Sequence, residues 1–324
     1  MRIMKSVKDN PYRIFTVLIF TSIFFATSGF FVSAKDQAGG NPGGSDTVRI
    51  EDDFNLQYEV GKSEELVNFL KGKYVDDDSF AKSLGPNFTG SFGDEDFTDT
   101  YFDTPNLDLY KRKIGLRHRL RVNRLDTENR KNGRELIQLK LSGDEKFEDK
   151  DNSGSRNEIK FDVVPQKSNV STDDRHPILG LIDFGGRDGF KSRLRELGID
   201  PYKLRPILTL NQRRRRVYIN RDGATFISFS MDDVKSSLLW VNTEFSQLEV
   251  ELNELAYTES DKVYREKMQE IRSGMIKDLR KKFSYLSHDQ SAKYNKAFDL
   301  LSAKIPWMKF WVRIGFLRGR EPGR

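Results

Sequence analysis

The 324-residue chain contains no cysteine. That excludes disulfides and thiol catalysis, and it fits export without requiring it. Histidine is scarce. His118, His176 and His288 lie far apart, so neither a Ser-His-Asp arrangement nor zinc-ligand spacing can be drawn from them. His118 stands among apolar neighbours and reads as a packed side chain rather than a ligand. No glycine-rich phosphate loop stands out, and Gly185-Gly186 reads as part of a loop. There is no internal repeat. A broadly basic surface is also missing, although the formal net charge is +6. Residues 1–34 supply +3 and the stretch from Lys304 onward +5, which leaves 35–303 at −2. A nucleic-acid surface is therefore not expected, and any anion site has to come from local arrangement.

What is present is a charge-rich globular composition: 36% hydrophobic, 32% charged, with 24 Phe that argue against disorder. Arg2, Lys5, Lys8 and Arg13 precede an apolar run from Ile14 to Val32, and Val32-Ser33-Ala34 fits a signal-peptidase site. Residues 1–34 read as a signal peptide, with an uncleaved anchor through residues 14–33 as the alternative, because about 19 apolar residues can just span a bilayer. Either reading exports the rest, to a periplasm or the cell exterior. Residues 35–50, rich in Gly, read as a flexible linker. One domain follows over 51–303. Residues 304–324 form a basic amphipathic tail in which Trp307 and its apolar neighbours mix with Lys309 and Arg313. That tail either lies on an anionic membrane or packs across the domain. Oligomeric state is not legible.

Eight segments read as strands: 54–61, 97–103, 114–122, 134–142, 156–164, 206–219, 223–232 and 244–253. In the third, Leu116, His118, Leu120 and Val122 oppose Arg117, Arg119 and Arg121; in the eighth, Leu248, Val250 and Leu252 oppose Gln247, Glu249 and Glu251. Arg221-Asp222-Gly223 reads as a hairpin turn. Helices are expected over 64–73 with Ser63 as cap, 187–197, 259–283 capped by Thr258 or Ser260, and 291–303 starting at Ser291.

The polar faces share a theme. Side chains two apart on a strand project the same way, about 6–7 Å from each other. Arg117, Arg119 and Arg121 would repel one another unless solvated or met by carboxylates or a polyanion. Arg156, Glu158 and Lys160 share a face, as do Ser228, Ser230 and Asp232. Arg213 with Arg215, and Arg214 with Arg216, are alternative inward pairs; the former is preferred by register with the segment at Tyr218. Glu249 and Glu251 place two hard oxygen ligands side by side, suited to Mg²⁺ or Mn²⁺. The plain alternative is a solvated charged face of an ordinary antiparallel sheet. Six such faces, rich in Arg rather than Lys, weigh against it, because Arg suits bidentate phosphate contact. An outer-membrane barrel is disfavoured by the long charged helices and the lack of aromatic girdles.

These stretches, in order, resemble the CYTH, or triphosphate tunnel metalloenzyme, superfamily and its VTC-type polyphosphate polymerase branch. The resemblance rests on Tyr101 to Thr104 with Leu107 to Leu109, Gly115 to Arg119, Leu139 to Leu141 and Arg156 to Lys160. It continues through Arg213 to Tyr218, Ile227 to Asp232, Leu248 to Leu252 and Ser291 to Tyr294, and so spans roughly 55–300. It implies a mainly β, α+β fold: an eight-stranded antiparallel tunnel barrel with helices packed after the last strand. Carried over by position, Arg117, Arg119, Lys140, Arg156, Arg213 and Arg215 would hold phosphate oxygens. Glu59, Glu158, Asp232, Glu249 and Glu251 would bind metal or position water, with Lys293 reaching in from the final helix beside Glu249 and Glu251 as catalytic groups. The family's first strand usually alternates two Glu and a Lys; Gln57, Glu59 and Gly61 are assigned to those places here, a departure. The implied activity is Mg²⁺- or Mn²⁺-dependent hydrolysis of a triphosphate or polyphosphate. Polyphosphate synthesis and non-catalytic polyphosphate binding are the alternatives, and Glu251 favours hydrolysis because the polymerase branch tends to carry Lys there.

Overall fold

Residues whose side chains alternate between charge and hydrocarbon form the strands. They are β1 (Arg49–Tyr58), β2 (Phe88–Asp103), β3 (Gly115–Asn123), β4 (Arg134–Lys140), β5 (Gly154–Asp162), β6 (Arg205–Arg221), β7 (Ala224–Leu238) and β8 (Val241–Leu252). The computed structural model describes residues 49–126, 133–141, 154–164, 171–253, 256–257, 260–289, 291–319 and 322. The N-terminal apolar run and the glycine-rich stretch after it lie outside these.

The strands run antiparallel in the order β5-β4-β3-β2-β6-β7-β8-β1. β1 pairs with β8 through Asp53–Tyr58 and with β5 through Arg49–Asp53, so the sheet closes on itself. A two-residue strand, β9 (Ser287–His288), pairs with Leu56 and Gln57. Closure leaves no long unpaired edge and gives every strand an inner and an outer face.

All eight expected strands form, with boundaries moved by three residues or more in β1, β2, β7 and β8. β1 ends at Tyr58, before a turn in which Gly61 has φ +92°. β2 begins at Phe88, nine residues before 97, in a stretch that does not alternate. Its Gly90 is required by a close approach: a Cβ there would meet the backbone oxygen of Tyr74 at 1.7 Å. Between β6 and β7, Asp222 and Gly223 take φ 52° and 79°, the two left-handed positions of a tight hairpin.

Helices cover the barrel: α1 (Ser63–Lys71), α2 (Asp78–Leu84), α3 (Asp108–Lys111), α4 (Thr172–Arg175), α5 (Phe184–Glu196), α6 (Lys262–Lys282), α7 (Lys293–Lys304) and α8 (Met308–Arg313). Several starts differ from expectation. Ser63 is the first residue of α1, and its hydroxyl donates to Asp233 instead of capping. Asp261, not Thr258 or Ser260, caps α6 by accepting from the Tyr264 amide at 2.8 Å. Ala292 precedes α7 with no side-chain cap. Gly185-Gly186 is not loop but the first turn of α5, whose cap is Asp183.

Hydrocarbon lies mostly outside the ring of strands. Leu56, Phe229, Met231, Leu248 and Val250 face outward against Leu66 and Leu70 of α1 and Met268 of α6. Leu116, Ile137, Leu139 and Ile159 face outward against Phe190 and Leu194 of α5. Inside, one end is apolar. Leu208, Leu210, Val234, Phe245 and Tyr101 pack with Tyr294, Phe298 and Leu301 of α7. They are in phase with the inward positions of their strands, so α7 stoppers that end. The tail joins the same cluster: Ile305, Met308, Val312 and Leu317 are buried, which makes 304–319 part of the packed domain.

Phe229 is fully buried on the outer face of β7 and stacks on Tyr74 with ring centroids 5.4 Å apart. Phe229→Ala is expected to cost about 3–5 kcal/mol through lost burial and an unfilled cavity. Urea denaturation followed by circular dichroism checks this; a loss under about 1 kcal/mol would mean that this layer does not hold the barrel wall.

Candidate functional site

The open end of the barrel interior is a cavity of 350 Å³ lined by ten Lys and Arg side chains and three Glu. β3 contributes Arg117, Arg119 and Arg121, β4 contributes Gln138 and Lys140, and β5 contributes Glu158 and Lys160. Arg214 and Arg216 come from β6, Glu249 and Glu251 from β8, and Lys293 from the start of α7.

Two ion clusters organise the walls. In the first, Asp99 of β2 is fully buried and accepts from Arg119 Nε and Nη2 at 2.6 Å each and from Arg117 Nη1 at 3.2 Å. Burial alone would raise the Asp99 carboxyl; the two guanidiniums outweigh it and hold the group well below the usual carboxylate range. Arg117 Nε donates to Gln138 Oε1 at 2.8 Å, and Gln138 Nε2 donates onward to Glu158 Oε1 at 2.7 Å. Glu158 also pairs with Lys160 at 2.7 Å. Burial opposes its ionisation, but Lys140 and Lys160 pull its carboxyl down to about 2.

In the second cluster, Arg214 donates to both Asp232 oxygens at 2.6 Å and to Glu249 Oε2 at 2.5 Å. Lys293 Nζ lies 2.5 Å from Asp232 Oδ2 and 2.5 Å from Glu249 Oε1. Burial again acts against both carboxylates, and Arg214 and Lys293 keep both ionised. Glu251 is more loosely held, with Ser228 Oγ at 3.4 Å and Arg216 at 4.0 Å. Lys293 is aimed by its helix: Tyr294 stacks on Tyr101 at 5.1 Å and donates to Asp103 at 3.0 Å, where Asp103 also accepts the Leu109 and Tyr110 amides.

The structure brings together Arg117, Arg119, Lys140, Glu158, Asp232, Glu249, Glu251 and Lys293. It separates three others. Arg213 and Arg215 point outward: Arg213 pairs with Asp94 at 2.8 Å, and Arg215 with Asp233 at 2.8 Å and with Glu64. They are in phase with Val217 and Ile219, which pack under α1 and α6, and that apolar phase was the available signal. The inward pair is Arg214 and Arg216, in phase with Tyr218, whose hydroxyl accepts from Arg216 at 3.2 Å. Glu59 is exposed in the turn after β1, and Gln57 is exposed too. The position of that strand which lines the cavity is Asn55; two residues earlier, Asp53 stands opposite Glu251 in the β1–β8 ladder. The first-strand assignment is thus displaced toward the N-terminus. Arg156 stands opposite Glu51 in the β1–β5 ladder, and its side chain lies outside what the structure describes. Asp99, Glu95, which pairs with Arg121, and the bridging Gln138 carry no local sequence signal, because their arginine and glutamate partners are met only once the strands are paired.

A family profile described as the CYTH domain matches residues 71–282. The chain is a member of the CYTH family. Three solved structures resemble this CYTH domain at a distance. A candidate adenylate cyclase from Bacillus halodurans is 16% identical, with 78% of this chain and 98% of that chain covered and a TM-score of 0.44. A Pyrococcus horikoshii protein is 17% identical over 78% and 99%, TM-score 0.39. A Hippeastrum candidate adenylyl cyclase reported to have a dominant triphosphatase activity is 13% identical over 80% and 98%, TM-score 0.40. A search of curated proteins finds no match.

The depressed carboxyls set an acid limit on the CYTH domain. Glu158 titrates lower when folded than when unfolded, so its contribution to stability is complete above about pH 4.5 and is lost as pH falls toward 2. Glu158→Gln is expected to lower the urea midpoint at pH 7, and the gap from the unaltered protein should narrow between pH 5 and pH 3, on the order of 1–2 kcal/mol. A gap independent of pH over that range would show that Glu158 is not held ionised by Lys140 and Lys160.

Proposed function

We propose that the barrel takes up a triphosphate, or the end of a polyphosphate, and hydrolyses a phosphoanhydride bond. The observation that carries this is the convergence of ten basic side chains on one 350 Å³ cavity whose other end is stoppered by hydrocarbon. A chain of phosphates spreads charge along its length, and basic groups on β3, β4, β6 and α7 can meet successive phosphates from different sides. The same groups would neutralise charge that develops on the transferred phosphoryl and the leaving oxygen. Glu251 is the wall carboxylate with the weakest internal contacts, and it is suited to orient water.

Triphosphatases of the CYTH family depend on a divalent metal in general. The described carboxylates do not fit such an ion here. All four oxygens of Asp232 and Glu249 face Arg214 or Lys293, and among the described residues no group of three acidic or histidine side chains could hold a metal. That saturation, with Asn55 as the cavity residue of β1, favours a second reading: a site that binds the polyanion without turning it over.

Titration calorimetry with tripolyphosphate tests the binding. Lys140→Ala and Arg216→Ala should each weaken it by about 10-fold or more, the loss of one or two charge-assisted contacts. Arg213→Ala, on the outer face, should leave it unchanged. Equal weakening by all three would defeat the inward assignment. Orthophosphate release from tripolyphosphate, ATP and long-chain polyphosphate, with Mg²⁺ or Mn²⁺, then separates the two readings. Release that disappears in Glu249→Ala/Glu251→Ala supports hydrolysis at this site; tight binding with no release supports binding alone, and chain lengthening from ATP would indicate synthesis.

A further inference from the structure

One face of the molecule exposes apolar side chains in positions that cost the fold energy. The two-residue turn between β7 and β8 is Leu239-Trp240, with Leu239 at φ 56°. The equivalent turn between β6 and β7 uses Asp222-Gly223, the ordinary chemistry for left-handed positions. A large residue there carries strain on the order of 1 kcal/mol. Neither side chain recovers it by burial: Trp240 is 82% exposed. The pattern recurs at Trp307, which has φ 60° and is 78% exposed.

These positions adjoin. Leu239, Phe316 and Arg318 line a common cavity of 530 Å³. Lys304 at the end of α7 donates to the carbonyl of Asn242, just past the turn, at 2.9 Å. Trp307, Phe310 and Ile314 are exposed at helical spacing along α8, while Met308 and Val312 anchor its other side. The patch is therefore presented by a fixed base.

Between residues 304 and 319 every charged side chain is basic. Lys309, Arg313 and Arg318 are exposed around the aromatic rings. Arg205 and Arg318 both crowd Gly315, where a Cβ would lie 3.1 Å from Arg205 Nη1 and 3.3 Å from Arg318 Nη2. Arg205 Nε and Nη2 are buried and donate to no partner among the described residues. Of these two guanidiniums Arg318 is the exposed one, and it can meet a phosphate at the surface.

We propose that this face rests on an anionic phospholipid membrane, with its Trp and Phe rings at headgroup level and its arginines and lysines against lipid phosphates. Exposed aromatics ringed by basic groups match an interfacial contact. The same chain carries the apolar run Ile14–Val32 ahead of the domain, long enough for a bilayer to be close by. Among the described residues no helix is long and apolar enough to cross a membrane.

All three tryptophans of the chain, Trp240, Trp307 and Trp311, lie in or beside this patch, so intrinsic fluorescence reports on it alone. The full chain would be reconstituted into vesicles of phosphatidylcholine with or without phosphatidylglycerol, using lipids brominated near the headgroup. A blue shift and about a two-fold loss of emission are expected in anionic vesicles, weakened by high salt. Phe310→Ser/Phe316→Ser should reduce the quenching, and Lys309→Glu/Arg313→Glu should remove the difference between anionic and neutral vesicles. Absence of quenching in anionic vesicles overturns the proposal. So does an emission shift that follows protein concentration instead of brominated lipid, which would assign the patch to a second copy of the chain.

Discussion

Arg117 and Arg119 share the carboxylate of Asp99, and the barrel depends on that kind of sharing. A ring of strands that turns its charged faces inward places cations about 6–7 Å apart on each strand, with less water than a surface would offer. Every inward cation then needs an anion from a neighbouring strand or from a ligand. Asp99, Glu158, Asp232 and Glu249 supply the first kind. They are spaced around the wall: Glu158, Asp232 and Glu249 each meet basic groups from two elements, and Asp99 meets two arginines of β3 and Gln212 of β6. The carboxylates therefore act as ties between strands as well as counter-ions. Removing Asp99 would leave the buried Arg117 and Arg119 without their shared carboxylate, which typically costs about 3–5 kcal/mol.

Much of this fold is legible from alternation. Where Leu116, Leu139 or Leu248 recurs in phase with hydrocarbon, the opposite phase is charged, and the strand and its inner face follow together. The run Arg213 to Arg216 defeats that reasoning, because both phases are arginine. The phase of Val217 and Ile219, further along the same strand, decides it, and those two residues pack under helices. β1 fails for a different reason. Its partners lie far away in sequence, and the place where Asn55 meets Glu249 is fixed by the β1–β8 ladder, not by any local pattern. Asp99 is the limiting case. It sits in a β2 segment that alternates ordinary residues, Phe97, Asp99 and Tyr101, and only pairing with β3 brings it under two arginines.

The interior has two halves with opposite chemistry, and α7 joins them. Tyr294, Phe298 and Leu301 fill the apolar half, while Lys293, one residue before Tyr294, enters the charged half. The stopper therefore positions a cation by hydrophobic packing. Asp103 and Tyr101 hold Tyr294 by a hydrogen bond and a stacked ring, so a shift of the helix would move the ammonium relative to Asp232 and Glu249. Geometry at the site is thus set by a core contact that has no charge of its own beyond Asp103.

Net charge conceals the outcome. The segment 35–303 is slightly acidic overall, yet its cavity gathers ten basic side chains and three carboxylates. The strand faces sort the charges: the inward faces of β3, β4, β5 and β6 bring basic side chains together at one cavity. Internal carboxylates offset part of that concentration and leave an excess that water alone meets poorly. A small anion could neutralise one or two of these groups, whereas a chain of phosphates would carry several charges to basic groups on different strands. The proposed uptake of a polyanion rests on the number of those charges, because basic side chains of several strands face one cavity.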